Sequence, residues 1–334
     1  MFLVSGNRWA GRGLALAGAL VCWGGLVAAQ PSVIAAVTER ELNIDSSLLQ
    51  GGVRPVTIPI TVRWRGDDKE SSEITDIGAL RVLEDGDEQE IVSVRAIGTA
   101  DPLYLAVLIQ DDAVSAGNEI KPLQEFIRRL PNGSRVLTGY LRSGSLQIRQ
   151  KFTNDLDKAA KSLRIPAGQA SVAPYNPYVE VLEALKRFES QPKGRRALLL
   201  VSDGVDISHG VDDSSPGQSN DLQRAITAAQ GQATAIYTIY TPTSAVAGRN
   251  GSLLENNGQG SLNRLSDETG GRSFFQGTGA PVSFDPFLKK LGTIFKRQLA
   301  LTYLSTHLKK GYHRVKVMPG NRDITIEHPS GYTR

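Results

Sequence analysis

Unbroken apolar runs alternate with helix-spaced apolar positions through the middle of the chain. Residues 103–109 read Leu-Tyr-Leu-Ala-Val-Leu-Ile, with no charged position among them. A strand with one wet face alternates, so an unbroken run predicts a strand covered on both faces, as in a parallel sheet. Ile120, Leu123, Phe126, Ile127 and Leu130 follow at helical spacing, and Pro131-Asn132-Gly133 ends that helix. The same rhythm predicts strands at 136–141, 146–149, 197–201, 235–240 and 273–275. It predicts helices at 156–163, 222–229 and 262–268, the last closed by Gly270-Gly271. Asn176-Pro177 opens a further helix, with Asn as cap and Pro at the first helical position. Asp285-Pro286 caps another, whose inner face carries Phe287, Leu288, Leu291, Ile294 and Phe295. Ser143-Gly144 makes a hairpin of 136–141 and 146–149. Strands alternating with helices predict an α/β fold with helices on both faces of the sheet. Two polar stretches, 204–221 and 241–260, read as long loops after the fourth and fifth strands, and Gly258-Gln259-Gly260 reads as the link into the next helix.

The flanks have no helical period. Residues 56–64 alternate and are rich in β-branched side chains, which predicts a strand. Short strands are expected at 79–83 and 91–94, joined through Glu84-Asp85-Gly86-Asp87, a turn of the Asp-Gly type. The tail offers strands at 312–317 and 324–326. Neither flank alone has enough strands for a stable sheet sandwich. Residues 30–100 and 299–334 are therefore expected to pack together as one small β-rich module, with the α/β domain at 101–298 inserted in it.

Residues 1–29 read as a cleaved signal peptide. Arg8 and Arg12 supply the positive start, 13–28 an apolar stretch, and Val27-Ala28-Ala29 the small residues before the cut, leaving Gln30 as the new N-terminus. The apolar stretch is short against the roughly 20 residues a membrane span needs. Secretion or periplasmic export follows, and membrane contact by the mature chain is not expected; the alternative is a leader retained uncleaved as an anchor. Cys22 is the single cysteine and lies in the leader, so the mature chain has neither an intrachain disulfide nor a thiol nucleophile. The 38 basic residues, less the two in the leader, stand against 34 acidic ones and leave the mature chain at +2. That balance points away from a nucleic-acid partner.

Three segments together resemble the von Willebrand factor type A (VWFA) domain. They are 108–115, Leu-Ile-Gln-Asp-Asp-Ala-Val-Ser; 200–206, Leu-Val-Ser-Asp-Gly-Val-Asp; and Glu268-Thr269-Gly270-Gly271 before the strand at 273–275. The flanks resemble the bacterial VWFA-related branch first described from acidobacteria. There, a strand ending in Glu-Asp-Gly precedes the domain, as Glu84-Asp85-Gly86 does here, and a tail like 311–317 follows it. The resemblance implies a Rossmann-like VWFA domain with a mostly parallel central sheet.

It also implies a divalent cation, usually magnesium, above the sheet, in a site written D-x-S-x-S with a Thr and an Asp from two further loops. Magnesium takes hard oxygen ligands in a near-ideal octahedron. Matched to that pattern, Asp111 is the first Asp, Ser115 the second Ser, Asn176 falls near the Thr and Asp203 is the last Asp. Ala113 stands where the first Ser belongs, so the site is degenerate, and any magnesium it holds is held weakly. Asp112 is expected to point away from it. The alternative is that Asp111, Ser115 and Asn176 are caps. Asp112, Asp206 and His209 are candidate partner contacts on the loop face. The sequence has no G-x-S-x-G elbow and no H-E-x-x-H pair. The reading is therefore a binding module for a protein or peptide, not an enzyme. The alternative reading is an envelope scaffold with a metal-free VWFA domain.

Overall fold

The computed structural model describes residues 52–64, 80–97, 102–192, 194–243, 246, 250–275, 277 and 279–334. The leader expected at 1–29, its cleavage site and Cys22 lie outside them. The described chain opens with β1 (Arg54–Trp64), β2 (Arg81–Glu84), β3 (Asp87–Ala96) and β4 (Leu103–Gln110). A 3-10 turn at Val114–Glu119 leads into α1 (Ile120–Arg128). Then come β5 (Arg135–Arg142), β6 (Ser145–Thr153), α2 (Leu156–Lys161), α3 (Pro177–Lys186) and β7 (Arg195–Ser202). Next are α4 (Asn220–Gly231), β8 (Thr234–Tyr240), α5 (Gly251–Thr269), β9 (Ser273–Phe274) and α6 (Asp285–Arg297). The chain closes with β10 (Leu299–Ser305), β11 (Tyr312–Met318), β12 (Ile324–Glu327) and β13 (Gly331–Thr333).

Six strands form the central sheet in the order β6-β5-β4-β7-β8-β9. All are parallel except β6, which returns antiparallel on β5 as a hairpin. Its turn residues Ser143 and Gly144 both have positive φ, at 50° and 77°, the combination that matches the twist of the two strands. Every residue of β4, β7 and β8 is buried, the reason their sequences read as unbroken runs. Parity along β4 assigns its faces. Leu103, Leu105, Val107 and Ile109 pack with α1, α2 and α6, while Tyr104, Ala106 and Leu108 pack with α3, α4 and α5. Helices thus cover both faces, and the sheet is the Rossmann-like α/β layer.

A second, antiparallel sheet takes strands from both ends of the chain, in the order β12-β1-β10-β3-β2-β11-β13. Strand β10 lies between β1 and β3, and β11 pairs with β2. Its core is Ile58, Ile60, Val82, Val94, Leu301, Tyr303, Val315, Val317 and Ile326. The two sheets meet where Arg272 pairs with Glu327 and where Ser330 donates to the Glu268 carbonyl.

Two expectations need correction. The stretch 241–260 is not a long loop, because α5 begins at Gly251 and runs through both Gly258 and Gly260. A Cβ at Gly258 would stand 2.1 Å from the Asp203 carbonyl oxygen, and one at Gly260 would stand 3.0 Å from the Pro216 ring. The glycines are close-approach positions, where each weakens the helix by about 1 kcal/mol relative to Ala so that the helix can lie on the 203–205 segment. Asp285 is not the cap of α6 either. Phe284 holds that position without a side-chain cap, and the Phe284 amide donates to Glu119 Oε2 at 2.7 Å.

Candidate binding face at the carboxyl ends of the central strands

Side-chain alternation continues past the end of β4 and sorts Gln110, Asp111 and Asp112. Successive side chains on a strand point to opposite faces. Asp111 turns toward β5 and the segment after α2, where it is fully buried. Its Oδ2 accepts from Arg142 Nη1 at 2.8 Å and from Arg164 Nη2 at 2.8 Å. Its Oδ1 accepts from Arg164 Nη1 at 2.7 Å and from the Ala167 amide at 3.0 Å. Burial raises the Asp111 pKa, but the Arg164 bonds, the Ala167 amide and Arg142 outweigh it and hold the carboxyl below its ordinary range. With both oxygens committed to a bidentate guanidinium and a second arginine, Asp111 has no lone pair directed at a metal. In this structure the residue expected as the first ligand is an ion-pair partner.

Gln110 occupies the place at the end of β4 that faces Asp203. Its Nε2 donates to Asp203 Oδ2 at 3.2 Å, and its Oε1 accepts from Ser202 Oγ at 2.5 Å. Thr243 Oγ1 also donates to Asp203 Oδ2, and the Val205 amide donates to Oδ1 at 3.0 Å. Asp203 is buried, and that burial, only partly offset by Thr243 and Val205, pushes its pKa up to about 6, with the Asp112 charge adding to the rise. Asp112 therefore lies on the Asp203 side, not away from it. It is fully buried, and neither carboxylate oxygen has a hydrogen-bond partner, although Gln110 and Thr243 are close enough to oppose the upward push of burial on its pKa.

The remaining candidates separate. Ala113 is fully buried and packs with Ala116 and Ile120 in the core beneath α1 and α6, so a serine there would not face Asp203. Ser115 Oγ pairs with Thr241 Oγ1 at 2.5 Å. Asn176 is the cap of α3: its Oδ1 accepts from the Tyr178 amide at 3.0 Å, and its Nδ2 donates to Asp221 Oδ2 at 2.9 Å. Both ends of that amide are in hydrogen bonds, and the residue takes the cap role that the sequence offered as its alternative. We predict that Asn176→Ala costs about 1 kcal/mol, as the loss of a helix cap does, with no change in magnesium binding. Urea unfolding with and without magnesium measures both. Asp206 is buried, taking Ser208 Oγ at 2.6 Å and Ser219 Oγ at 2.5 Å. It fastens its loop to the start of α4 and offers little to a partner. His209 is exposed, with Nδ1 3.0 Å from Ser208 Oγ. A hydroxyl has one proton, and that of Ser208 goes to Asp206.

The arrangement fits an octahedral magnesium only in part. Asp203 is spoken for by an amide and a hydroxyl, Asp111 by two arginines and Asn176 by its helix. What remains unmatched is the Asp112 carboxylate, whose isolated charge is costly in a buried setting.

A run of chain crosses the strand ends above these residues. The Gly168 amide donates to the Asp111 carbonyl, Ser143 to Val172, and Ile207 to Tyr175, which carries 164–175 past β5, β4 and β7. Ile165 and Tyr175 on that run, and Val114 after β4, are each 68% exposed. Sequence reasoning missed Gln110, Arg142, Arg164 and Thr243. Counting parity from the end of the apolar run could have found Gln110. Nothing local marks the other three.

The strand order, with one antiparallel edge strand and helices on both faces, is that of a Rossmann-like α/β layer. No family model matches the chain, and no curated protein does. Among solved structures it is similar to the conserved hypothetical protein BatB from Bacteroides thetaiotaomicron, at 10% identity and a TM-score of 0.39, over 59% of this chain and 98% of that one. It is also similar to a von Willebrand factor type A protein from Catenulispora acidiphila, at 10% identity and a TM-score of 0.39, over 85% and 75%. A third is manganese-loaded TRAP protein from Plasmodium vivax, at 11% identity and a TM-score of 0.36, over 76% and 99%. At these identities the likeness is one of fold.

Proposed function

We propose that this chain is a secreted or periplasmic binding module that grips a protein or peptide partner through the carboxyl-end face of its VWFA domain, and that it is not an enzyme. In this reading the chain is one β module interrupted by the α/β domain. The observation that carries the reading is the exposure of Val114, Ile165 and Tyr175 along segments that cross the strand ends. Large apolar side chains gathered on one face mark interaction sites more often than scattered ones do, and ligands of open α/β sheets bind at this end. The partner is accordingly one that presents apolar side chains.

Binding is proposed to be independent of magnesium, since the ligand positions are filled by Gln110, Arg142 and Arg164. The orphaned oxygens of Asp112 favour a second reading, a weak magnesium site formed by Asp112 and Asp203. Capture from the native envelope or secretome tests both. Wild type, Ile165→Asp and a control, Val282→Asp at a position 96% exposed, are compared with and without EDTA. The expected result is one partner retained by wild type and the control, lost with Ile165→Asp and indifferent to EDTA. Equal capture by all three proteins removes the loop-face reading, and loss in EDTA turns the choice to the magnesium site. Export is tested separately by mass spectrometry of the natural protein, whose first residue should be Gln30; a chain beginning at Met1 would refute it.

A further inference from the structure

We propose that the β module carries a transition-metal site, of the zinc type, formed by Asp85, His307 and His313. One ligand atom from each lies within 4.8 Å of the others. They come from the two flanks of the chain: Asp85 from the β2–β3 turn, and His307 and His313 from the segment after β10 and from β11. Asp85 Oδ2 is the focus, 2.8 Å from His313 Nδ1 and 3.9 Å from His307 Nδ1. Zinc bonds of about 2.0–2.2 Å to nitrogen and oxygen put neighbouring ligand atoms roughly 3.3 Å apart in a tetrahedron, between those two separations.

The outer nitrogen of His313 is arranged as a metal-bound histidine needs it. His313 Nε2 stands 2.8 Å from the Lys309 carbonyl, whereas His307 Nε2 lies 3.2 Å from Asp87 Oδ2 without a hydrogen bond to it. The Lys309 carbonyl can hold the His313 proton on Nε2, the outer-partner pattern of metal-binding imidazoles, and a bound ion would take the place of the proton that Nδ1 shares with Asp85 Oδ2. Asp85 is itself fixed, since its Oδ1 accepts from the Arg314 amide at 2.8 Å and its backbone holds φ of 52° in the turn.

A second observation points to a missing cation. Glu84 is fully buried beside the cluster, its Oε1 3.6 Å from His313 Nδ1, and its Oε2 has no hydrogen-bond partner. Oε1 takes the Tyr332 hydroxyl at 2.7 Å and the Ser305 hydroxyl at 3.0 Å. One carboxylate and two imidazoles, with the Glu84 carboxylate beside them, suit borderline metals such as zinc better than magnesium, which takes oxygen alone. A bound ion would join residues 228 apart in sequence, tying the two flanks of the chain on either side of the inserted domain.

Calorimetric titration of tag-free, EDTA-stripped protein with zinc chloride is the test, with cobalt chloride added for its visible absorption. One equivalent of zinc should bind, with a rise in Tm and a cobalt spectrum showing nitrogen ligation. Asp85→Asn, His307→Gln and His313→Gln should each weaken zinc by at least ~100-fold, since losing an outer partner alone costs up to about that much. His307→Gln is the safest probe of the three, because His307 lies outside the strands and is partly exposed; circular dichroism confirms that the fold is kept. Asp203→Asn should leave zinc binding unchanged. No binding up to millimolar zinc overturns the site, as does zinc binding that survives all three triad changes or is lost with Asp203→Asn.

Discussion

Asp111→Asn should destabilise the protein by about 3 kcal/mol, the lower end of what breaking a buried ion pair costs, and lower Tm on the order of 10 °C. The side chain is fully buried while Arg142 and Arg164 are about one-third exposed. The asparagine amide would present hydrogens to two guanidiniums, of which Arg164 keeps the Ile165 carbonyl as a further acceptor. The loss is limited because both arginines can turn partly into water. The pH dependence follows from the lowered pKa of Asp111. Its stabilising contribution is complete above the unfolded carboxyl value of about 3.9 and is lost as pH falls through the lower folded value, so wild type and Asp111→Asn should converge in strong acid. Urea unfolding from pH 2 to 8 measures this. Were Asp111 a metal ligand, the substitution would instead leave stability without magnesium intact and remove a magnesium effect.

Asp112→Asn should act in the opposite direction and stabilise the protein at neutral pH. The Asp112 carboxylate beside Asp203 is a buried charge that Gln110 and Thr243 offset only in part. Replacing buried charges by neutral groups of similar shape is often neutral or stabilising by about 1–4 kcal/mol, and the upper half of that range is expected where two carboxylates face each other. The raised pKa values set the window. A folded carboxyl that holds its proton more tightly than the unfolded one favours folding in acid, and the advantage disappears as pH rises. Wild-type stability should therefore fall between about pH 4, the unfolded value, and pH 6, where Asp203 loses its proton, then level off. Asp112→Asn should flatten that slope by lowering the Asp203 value. Magnesium supplies a further contrast. If it raises the Tm of wild type at pH 7.5 and not that of Asp112→Asn, the weak cation site of Asp112 and Asp203 is present, and cation-independent binding has to be abandoned.

The amino-acid sequence by itself determined the local events. An unbroken apolar run becomes a doubly covered strand because each residue along β4, β7 and β8 must leave water. Asn176 before Pro177 becomes a cap because its side chain can reach the Tyr178 amide two residues on. Ser143-Gly144 makes a hairpin because both positions tolerate positive φ. Asp203 is legible as a strand-end residue because an apolar run stops at it.

Only the tertiary structure decided where the side chains beyond β4 turn and what meets them. Sequence reasoning aligned Asp111 with a ligand by residue type, yet parity sends it the other way, onto Arg142 and Arg164, 31 and 53 residues distant. Gln110 was passed over because an amide in an apolar run resembles no ligand. The helix through Gly258 and Gly260 could not be read from composition, since glycine weakens a helix locally and is accepted here only because Asp203 and Pro216 lie against it. The meeting of Asp85 with His307 and His313 likewise depends on β11 pairing with β2 across the whole inserted domain. Caps, turns and buried strands are settled by interactions within a few residues. Carboxylate environments are settled by charges that the fold delivers from far along the chain, and it is these that decide whether an aspartate is a ligand, an ion-pair partner or an unmatched acid.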